Sequence, residues 1–284
     1  MGIIMKIDII CPLYKGEKYI KELNKNILKQ KNVDINEIHY ILTDTNDNSE
    51  NILKDLKCKY TKITPKEFSH SLTRENAALK SKAEIIVFIT QDVEIRSTVW
   101  LEKLVNPIIN KEADACYSRQ MTKYNNIEKY TRESNYPEES IIKTKDSIEE
   151  LGLKTFFFSD ASSAINAKVF KKLKGYDGKN LPTNEDQYIA YKLIMNGYKI
   201  KYCADSVVYH SHNFTLREIY DRYKLTGIFF KENNYLDKFG TTGSGANLAK
   251  YVLKRIIEEK RIKLLFRYPF DMASRLFGMK AGKR

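Results

Sequence analysis

Short β-branched and apolar runs alternate with helical periodicity through the first 120 positions of the chain. IDIICPL (7–13) reads as a buried strand, and EKYIKELNKNILKQ (17–30) as a helix whose Ile20, Leu23, Ile27 and Leu28 share a face. HYILTD (39–44) is a second strand entering the turn-rich TDTNDNS, and NILKDL (51–56) is a second helix. KYTKIT (59–64) gives a third strand, TRENAALKS (73–81) a third helix starting near Leu72, and EIIVFITQD (84–92) the strongest strand. Such alternation predicts an α/β fold whose mostly parallel sheet is covered on both faces. Ligands of these sheets lie at the carboxyl ends of the strands, where Pro12, Asp44 and Asp92 fall.

Beyond Asp92 the pattern loosens. VWLEKLVNPII (99–109) predicts a helix and DACYSRQM (114–121) a strand, while the polar stretch 122–150 reads as a loop or lid. FFFSDASSAINAKVFKKL (156–173) resumes with a buried strand and a helix, TNEDQYIAYKLIMNGYKI (183–200) is a well-marked helix, and SVVYHSHN (206–213) is a last strand. From Thr215 onward the chain reads as helical, with GTTGSGAN (240–247) as a Gly/Ser linker before a basic terminal segment. The expected organisation is a catalytic unit over 1–215, its nucleotide-binding half ending near 120, and an extension over 216–284.

With 284 residues, 42% of them hydrophobic, the chain can bury a large core. Its net charge of +13 calls for an anionic partner: nucleotide, nucleic acid or acidic lipid. Most of that charge lies in residues 250–284, where eleven basic residues face three acidic ones and Val252, Ile256, Ile257, Leu264, Leu265 and Phe266 supply an apolar side. A basic amphipathic helix of this kind suits an anionic membrane surface, and equally suits packing on the domain with a solvated basic face. No nucleic-acid-binding module is legible and the acidic sites line the presumed cleft, which argues against nucleic acid. Cys11, Cys58, Cys116 and Cys203 are widely spaced, so they read as small buried residues of a reducing compartment. Lys6 and Asp8 interrupt the apolar start and no eighteen-residue apolar run occurs, which argues against a leader or a spanning helix. The expectation is a cytosolic protein, peripheral at the inner face of a bacterial membrane.

Three acidic sites stand out: Asp44, Asp92, and the pair Glu185 and Asp186 at a helix start. Strand ends and helix starts use acids structurally, and Asn184 could cap the helix that comes after it. Together, at one edge of a parallel sheet in a basic protein, these acids also suit a site holding a divalent metal and a base. FSHSLTREN (68–76) concentrates a histidine, an arginine, hydroxyls and an amide just ahead of the strongest strand. Capping by Ser69 or Ser71 with support from Glu75 explains part of it, and leaves His70 and Arg74 unexplained.

The series CPLYKGEKYI, ILTDTNDNS, LTRENAALKSKAEIIVFITQD, SDASSAINAKVF and NEDQYIAYKLIMNGYKIKY resembles the family 2 glycosyltransferases of GT-A fold, over roughly residues 5–215. FSHSLTREN, FITQD and VYHSHNFTLREIYDRYKLTGIFF resemble the bacterial rhamnosyltransferase branch, which builds surface polysaccharides. The resemblance implies that Pro12 and Tyr14 line a nucleotide pocket, that Asp44 reads the pyrimidine, and that Arg74, with His70, Gln91 and Asp160, serves the sugar-nucleotide side. It implies a divalent metal, Mg2+ or Mn2+, at Asp92 with His210 as first choice of partner and His212 as second, since Thr90 replaces the first acid of the Asp-x-Asp motif. Asp186, beside Glu185, takes the place of the base that accepts the acceptor hydroxyl's proton. The activity implied by the resemblance is an inverting transfer of L-rhamnose from dTDP-L-rhamnose to a lipid-linked polysaccharide intermediate. A UDP-hexose donor, or a non-catalytic nucleic-acid-binding or assembly role, are the alternatives.

Overall fold

The computed structural model describes residues 5–240 and 242–284. Residues 1–4, part of the opening stretch read as lacking a leader, and Thr241, within the expected linker, lie outside the described residues. Eight strands, β1 (Lys6–Leu13), β2 (Asp34–Thr43), β3 (Lys59–Ile63), β4 (Ile85–Ile89), β5 (Ala115–Met121), β6 (Ile141–Lys143), β7 (Ser162–Asn166) and β8 (Ile200–Tyr209), form one sheet in the order β3-β2-β1-β4-β7-β5-β8-β6. The helices are α1 (Ile20–Leu28), α2 (Ser49–Asp55), α3 (His70–Lys80), α4 (Trp100–Ile109), α5 (Ile127–Asn135), α6 (Ser147–Leu151), α7 (Ala167–Lys172), α8 (Glu185–Met195), α9 (Leu216–Glu232), α10 (Thr242–Glu258) and α11 (Ile262–Lys283). Strands β1 to β4 pair in parallel, as do β5 and β8, while β7 runs antiparallel between β4 and β5, and β6 antiparallel along the edge of β8. The expected mostly parallel α/β sheet is therefore present.

Both sheet faces are covered because β4 is apolar at every position. Ile85, Val87 and Ile89 enter one core with Trp100, Leu101 and Leu104 of α4, and Ile86 and Phe88 enter the other with Phe170 and Ile189. Alternation within one strand thus serves two cores.

Several local expectations need correction. Leu28 is 66% exposed, and Asn24 fills its place on the buried face of α1 by accepting from the Tyr40 hydroxyl at 3.0 Å. The stretch 122–150 is not a bare loop: it contains α5, the short edge strand β6 and α6, and Ile127 and Tyr130 of α5 are buried against Val252 and Ile256 of α10. Its signals were weak because α5 buries only these two side chains. The terminal strand begins at Ile200 rather than Ser206, and β4 stops at Ile89, leaving Thr90–Asp92 in the turn beyond it. The expected linker is partly helix, since α10 starts at Thr242; Gly243 and Gly245 fall in the first turn, and packing further along carries the helix.

Residues 216–284 pack on the rest of the chain. Phe229 and Phe230 of α9 join the second core. Helix α11 crosses α9 where Gly227, Gly278 and Gly282 let the backbones meet, and a Cβ on Gly282 would overlap the Lys224 carbonyl oxygen. Tyr268, Asp271, Gly278 and Gly282 mark the buried side of α11, while Ile262, Phe266, Phe270 and Phe277, spaced four, four and seven apart, emerge on the other side. Phe266 is 73% exposed. Among the described residues, no helix is long and apolar enough to cross a membrane.

Candidate active site

The donors concentrated in FSHSLTREN hold together two distant segments. Ser69 caps α3 by accepting the Leu72 N–H at 3.1 Å, so the helix starts at His70, two residues before the expected Leu72. Ser71 donates to the Lys179 carbonyl at 2.6 Å and accepts the Leu181 N–H at 2.8 Å. Glu75 does not support the cap. Its buried carboxylate accepts the N–H groups of Tyr176 and Gly178, in a turn where Gly175, Asp177 and Gly178 all have positive φ. Helix α3 thereby fixes the loop that delivers α8.

At the start of α8, Asn184 adopts a left-handed conformation (φ 57°) and its side chain caps nothing; instead the Asp186 carboxylate accepts the Gln187 N–H at 2.8 Å. The capping role expected of Asn184 is therefore absent. Arg74 meets this helix start, donating to Glu185 Oε1 at 3.3 Å and to the His70 carbonyl at 2.7 Å. Its buried Nε has no partner among the described residues. Asp160, fully buried, accepts from Ser163 at 2.7 Å and from the Tyr176 hydroxyl at 2.6 Å.

One guanidinium therefore stands among three carboxyl groups. Burial, with the neighbouring Glu185 and Asp160 charges, pushes the Asp186 carboxyl well above the ordinary carboxylate value. These groups line a cavity of about 550 Å³ together with His70, Thr90, His210 and His212.

Asp92 stands behind the two histidines. Its Oδ2 lies 3.5 Å from His210 Nε2 and 3.8 Å from His212 Nδ1. Burial works against the Asp92 charge, yet the His210 hydrogen bond and the two imidazoles outweigh it and hold the carboxyl well below its usual range. Burial and the neighbouring His210 lower His212 to about 4, which keeps this ring neutral and able to ligate. Gln120 of β5, which carried no signal in the sequence, accepts from His210 Nδ1 at 2.9 Å and so turns Nε2 toward Asp92. Gln120 Oε1 also accepts from Arg132, which fixes the amide's orientation. A carboxylate and two imidazoles with ligand atoms within 4.8 Å of one another fit a divalent cation, and the nitrogen ligands suit manganese better than magnesium. The buried Thr90 hydroxyl has no partner among the described residues.

The remaining predicted residues sit at the same sheet edge but not on this cavity wall. Pro12 is the penultimate residue of β1, and Tyr14 just beyond the strand is half-exposed. Gln91 spends both ends of its amide on the Tyr14 backbone, at 2.9 and 2.8 Å, and so ties the end of β1 to the turn after β4. Asp44, after β2, faces Lys62 at 3.2 Å. The structure thus gathers His70, Arg74, Asp160, Glu185, Asp186 and His210 around one cavity, and leaves Pro12, Tyr14, Asp44 and Gln91 along the adjoining strand ends.

Comparison with known proteins matches residues 8–174 to the family model described as glycosyl transferase family 2. The chain is 33% identical over 258 residues to the O-antigen chain rhamnosyltransferase RfbN of Salmonella typhimurium, covering 89% of this chain and 81% of that protein. It is 34% identical over 214 residues to the O-antigen chain rhamnosyltransferase WbaN of Salmonella anatum, covering 74% and 67% respectively. Among solved structures, the mannosyltransferase PcManGT from Pyrobaculum calidifontis, in complex with GDP-Man and Mn2+, aligns with a TM-score of 0.62 at 12% identity over 98% of this chain and 88% of its own. S. aureus TarS 1–349 aligns with a TM-score of 0.58 at 16% identity over 98% and 89%. These two likenesses speak for the fold. The family model and the two Salmonella relatives settle the membership: this chain is a glycosyltransferase of family 2, similar to the rhamnosyltransferases of that family.

Proposed function

We propose that the chain transfers L-rhamnose from dTDP-L-rhamnose, with inversion, to a lipid-linked intermediate of a cell-surface polysaccharide. The observation that carries this reading is Asp186, held at the first turn of α8 with a raised proton affinity and facing the same cavity as His210 and His212, the histidines in front of Asp92. Identity of about a third to two O-antigen rhamnosyltransferases supports the sugar and the acceptor class.

In this reading Asp186 accepts the proton of the acceptor hydroxyl as its oxygen attacks the anomeric carbon, and Glu185 keeps Arg74 in place. The buried, unpartnered Arg74 Nε supports a role toward the sugar nucleotide, with His70, Asp160, Pro12, Tyr14, Asp44 and Gln91 along the donor's side. A divalent cation bound by Asp92, His210 and His212 would offset the charge of the departing diphosphate. Residues 1–215 would form the catalytic unit, with the nucleotide half ending near 120, and 216–284 the extension. The exposed apolar side of α11 with its flanking lysines and arginines supports a peripheral place at the anionic inner face of a bacterial membrane.

The test is a panel of dTDP-, UDP- and GDP-sugars with a synthetic acceptor, followed by NMR of the new linkage. Turnover of dTDP-L-rhamnose with inverted anomeric configuration is expected. Preference for a UDP-hexose, or retention of configuration, overturns the reading.

A further inference from the structure

A second cavity, of about 320 Å³, lies between α5, the 212–214 turn, α9 and α11. It adjoins the catalytic cavity and shares His212, Phe214, Arg222 and Glu128 with it. Its walls carry three arginines, and only one is neutralised. Arg275 pairs with the buried Asp271 and donates to the Tyr223 hydroxyl at 2.6 Å. Arg222 and Arg267 form no ion pair among the described residues. Both instead hold Phe214: Arg267 donates to its carbonyl at 2.6 Å, and the Arg222 guanidinium lies 4.7 Å from the ring centroid. The cavity's other acid, Glu128, is occupied by Arg132 and by the His212 N–H.

Two like charges facing one concave site repel, and an anion placed between them removes that cost. Guanidinium forks match phosphate oxygens two at a time. Position narrows the anion further. The turns of α11 that give Arg267 and Asp271 to the cavity expose Phe266 and Phe270 to solvent on the opposite side. Helix α11 therefore joins an exposed apolar surface to Arg267, and Arg222 of the neighbouring α9 lies on the wall shared with the cavity that holds Asp186.

We infer that this second cavity receives the phosphate ester of the acceptor, the diphosphate joining a lipid carrier to its saccharide, with Arg222 and Arg267 as its cations. The inference rests on the reading that the acceptor is lipid-linked. With the diphosphate held there, the saccharide extends past Arg222 into the catalytic cavity, and the lipid leaves along α11.

The test compares two water-soluble acceptors that carry the same saccharide, one on a short-chain alkyl diphosphate and one as a neutral alkyl glycoside. The full-length wild type should show a KM on the order of tenfold lower for the diphosphate acceptor, and Arg267→Met or Arg222→Gln should erase that preference while the donor's KM moves little. Equal KM values in the wild type overturn the inference but leave the transferase reading intact, because transfer to the neutral glycoside still reports it. Variants that slow both acceptors alike show that the arginines only hold Phe214, and variants that raise the donor's KM instead assign the cations to the donor; both outcomes also overturn it. The wild-type comparison decides even if a variant fails to fold.

Discussion

Glu94 and Tyr209 exchange two backbone hydrogen bonds, each 2.9 Å long, in an isolated antiparallel bridge that ties the turn after β4 to the end of β8. This bridge places Asp92, two residues before Glu94, beside His210, one residue after Tyr209. The Asp92–His210–His212 group is thus built by sheet topology, and Gln120 on the intervening β5 orients His210.

The first prediction concerns Gln120. Replacing it by leucine frees the His210 ring and should weaken metal affinity by about 10- to 100-fold, with little loss of stability relative to removing a ligand. Activity titrated with Mn2+ in Gln120→Leu should saturate at correspondingly higher metal. His212→Ala should weaken it too, and Mn2+ should restore chelated enzyme at lower concentration than Mg2+. An unchanged midpoint in both variants would remove the imidazoles from metal binding.

Asp186 should set the acid side of the pH–rate profile. A base works only when ionised, so the rate falls as pH drops through its pKa, and a raised pKa moves that fall above the ordinary carboxylate range. Asp186→Asn should cost roughly 10² to 10⁴ in kcat. Arg74→Met removes the one cation among three carboxyls and should move the acid limb of kcat/KM to still higher pH. A limb that stays in place would show that Asp186 does not titrate in it.

The grip of α3 on the 176–181 loop should be felt in both stability and catalysis. In Glu75→Gln the amide offers only one acceptor to the Tyr176 and Gly178 N–H groups, an expected loss of about 1–3 kcal/mol in urea unfolding at constant m-value. Because the loop delivers α8, kcat should fall more than the donor's KM rises. Full activity in a destabilised Glu75→Gln would separate the loop from the placement of Asp186.

Gly282→Val probes the crossing of α9 and α11. The new Cβ would meet backbone atoms of Lys224 and Gly227, which cannot swing aside as a side chain does, so a loss of at least about 1–3 kcal/mol is expected in thermal melts. Deleting residues 250–284 should be worse, since it uncovers Ile127 and Tyr130. A melt of Gly282→Val matching that of the wild type would mean the crossing is loose.

Membrane association is therefore better tested on the exposed side of α11 than by truncation. Phe266→Ser combined with Phe270→Ser should leave the melt unchanged, because both rings are exposed, yet reduce cosedimentation with phosphatidylglycerol vesicles at least tenfold. Salt should weaken the wild type's binding, as screening within about 10 Å at 0.1 M requires. Vesicle binding unaffected by both changes would assign the face to another partner.

Periodicity and chain order were enough to establish the alternation of strands and helices, the apolar β4 that feeds two cores, and the placing of Asp92, His210 and Asp186 at one sheet edge. These are local properties, readable without knowing what packs on what. FSHSLTREN is likewise legible as unusually rich in polar groups, without any sign of which partners Ser71 and Glu75 find. Folding decided that, because their partners in the 176–181 loop are about a hundred residues away in the chain and nothing in either segment names the other. The same holds for Gln120, one polar residue in a strand until β8 brings His210 against it. Helix α11 shows the limit most clearly. Its sequence is apolar on two sides, and only packing against α9 decides which side forms the core and which remains in solvent.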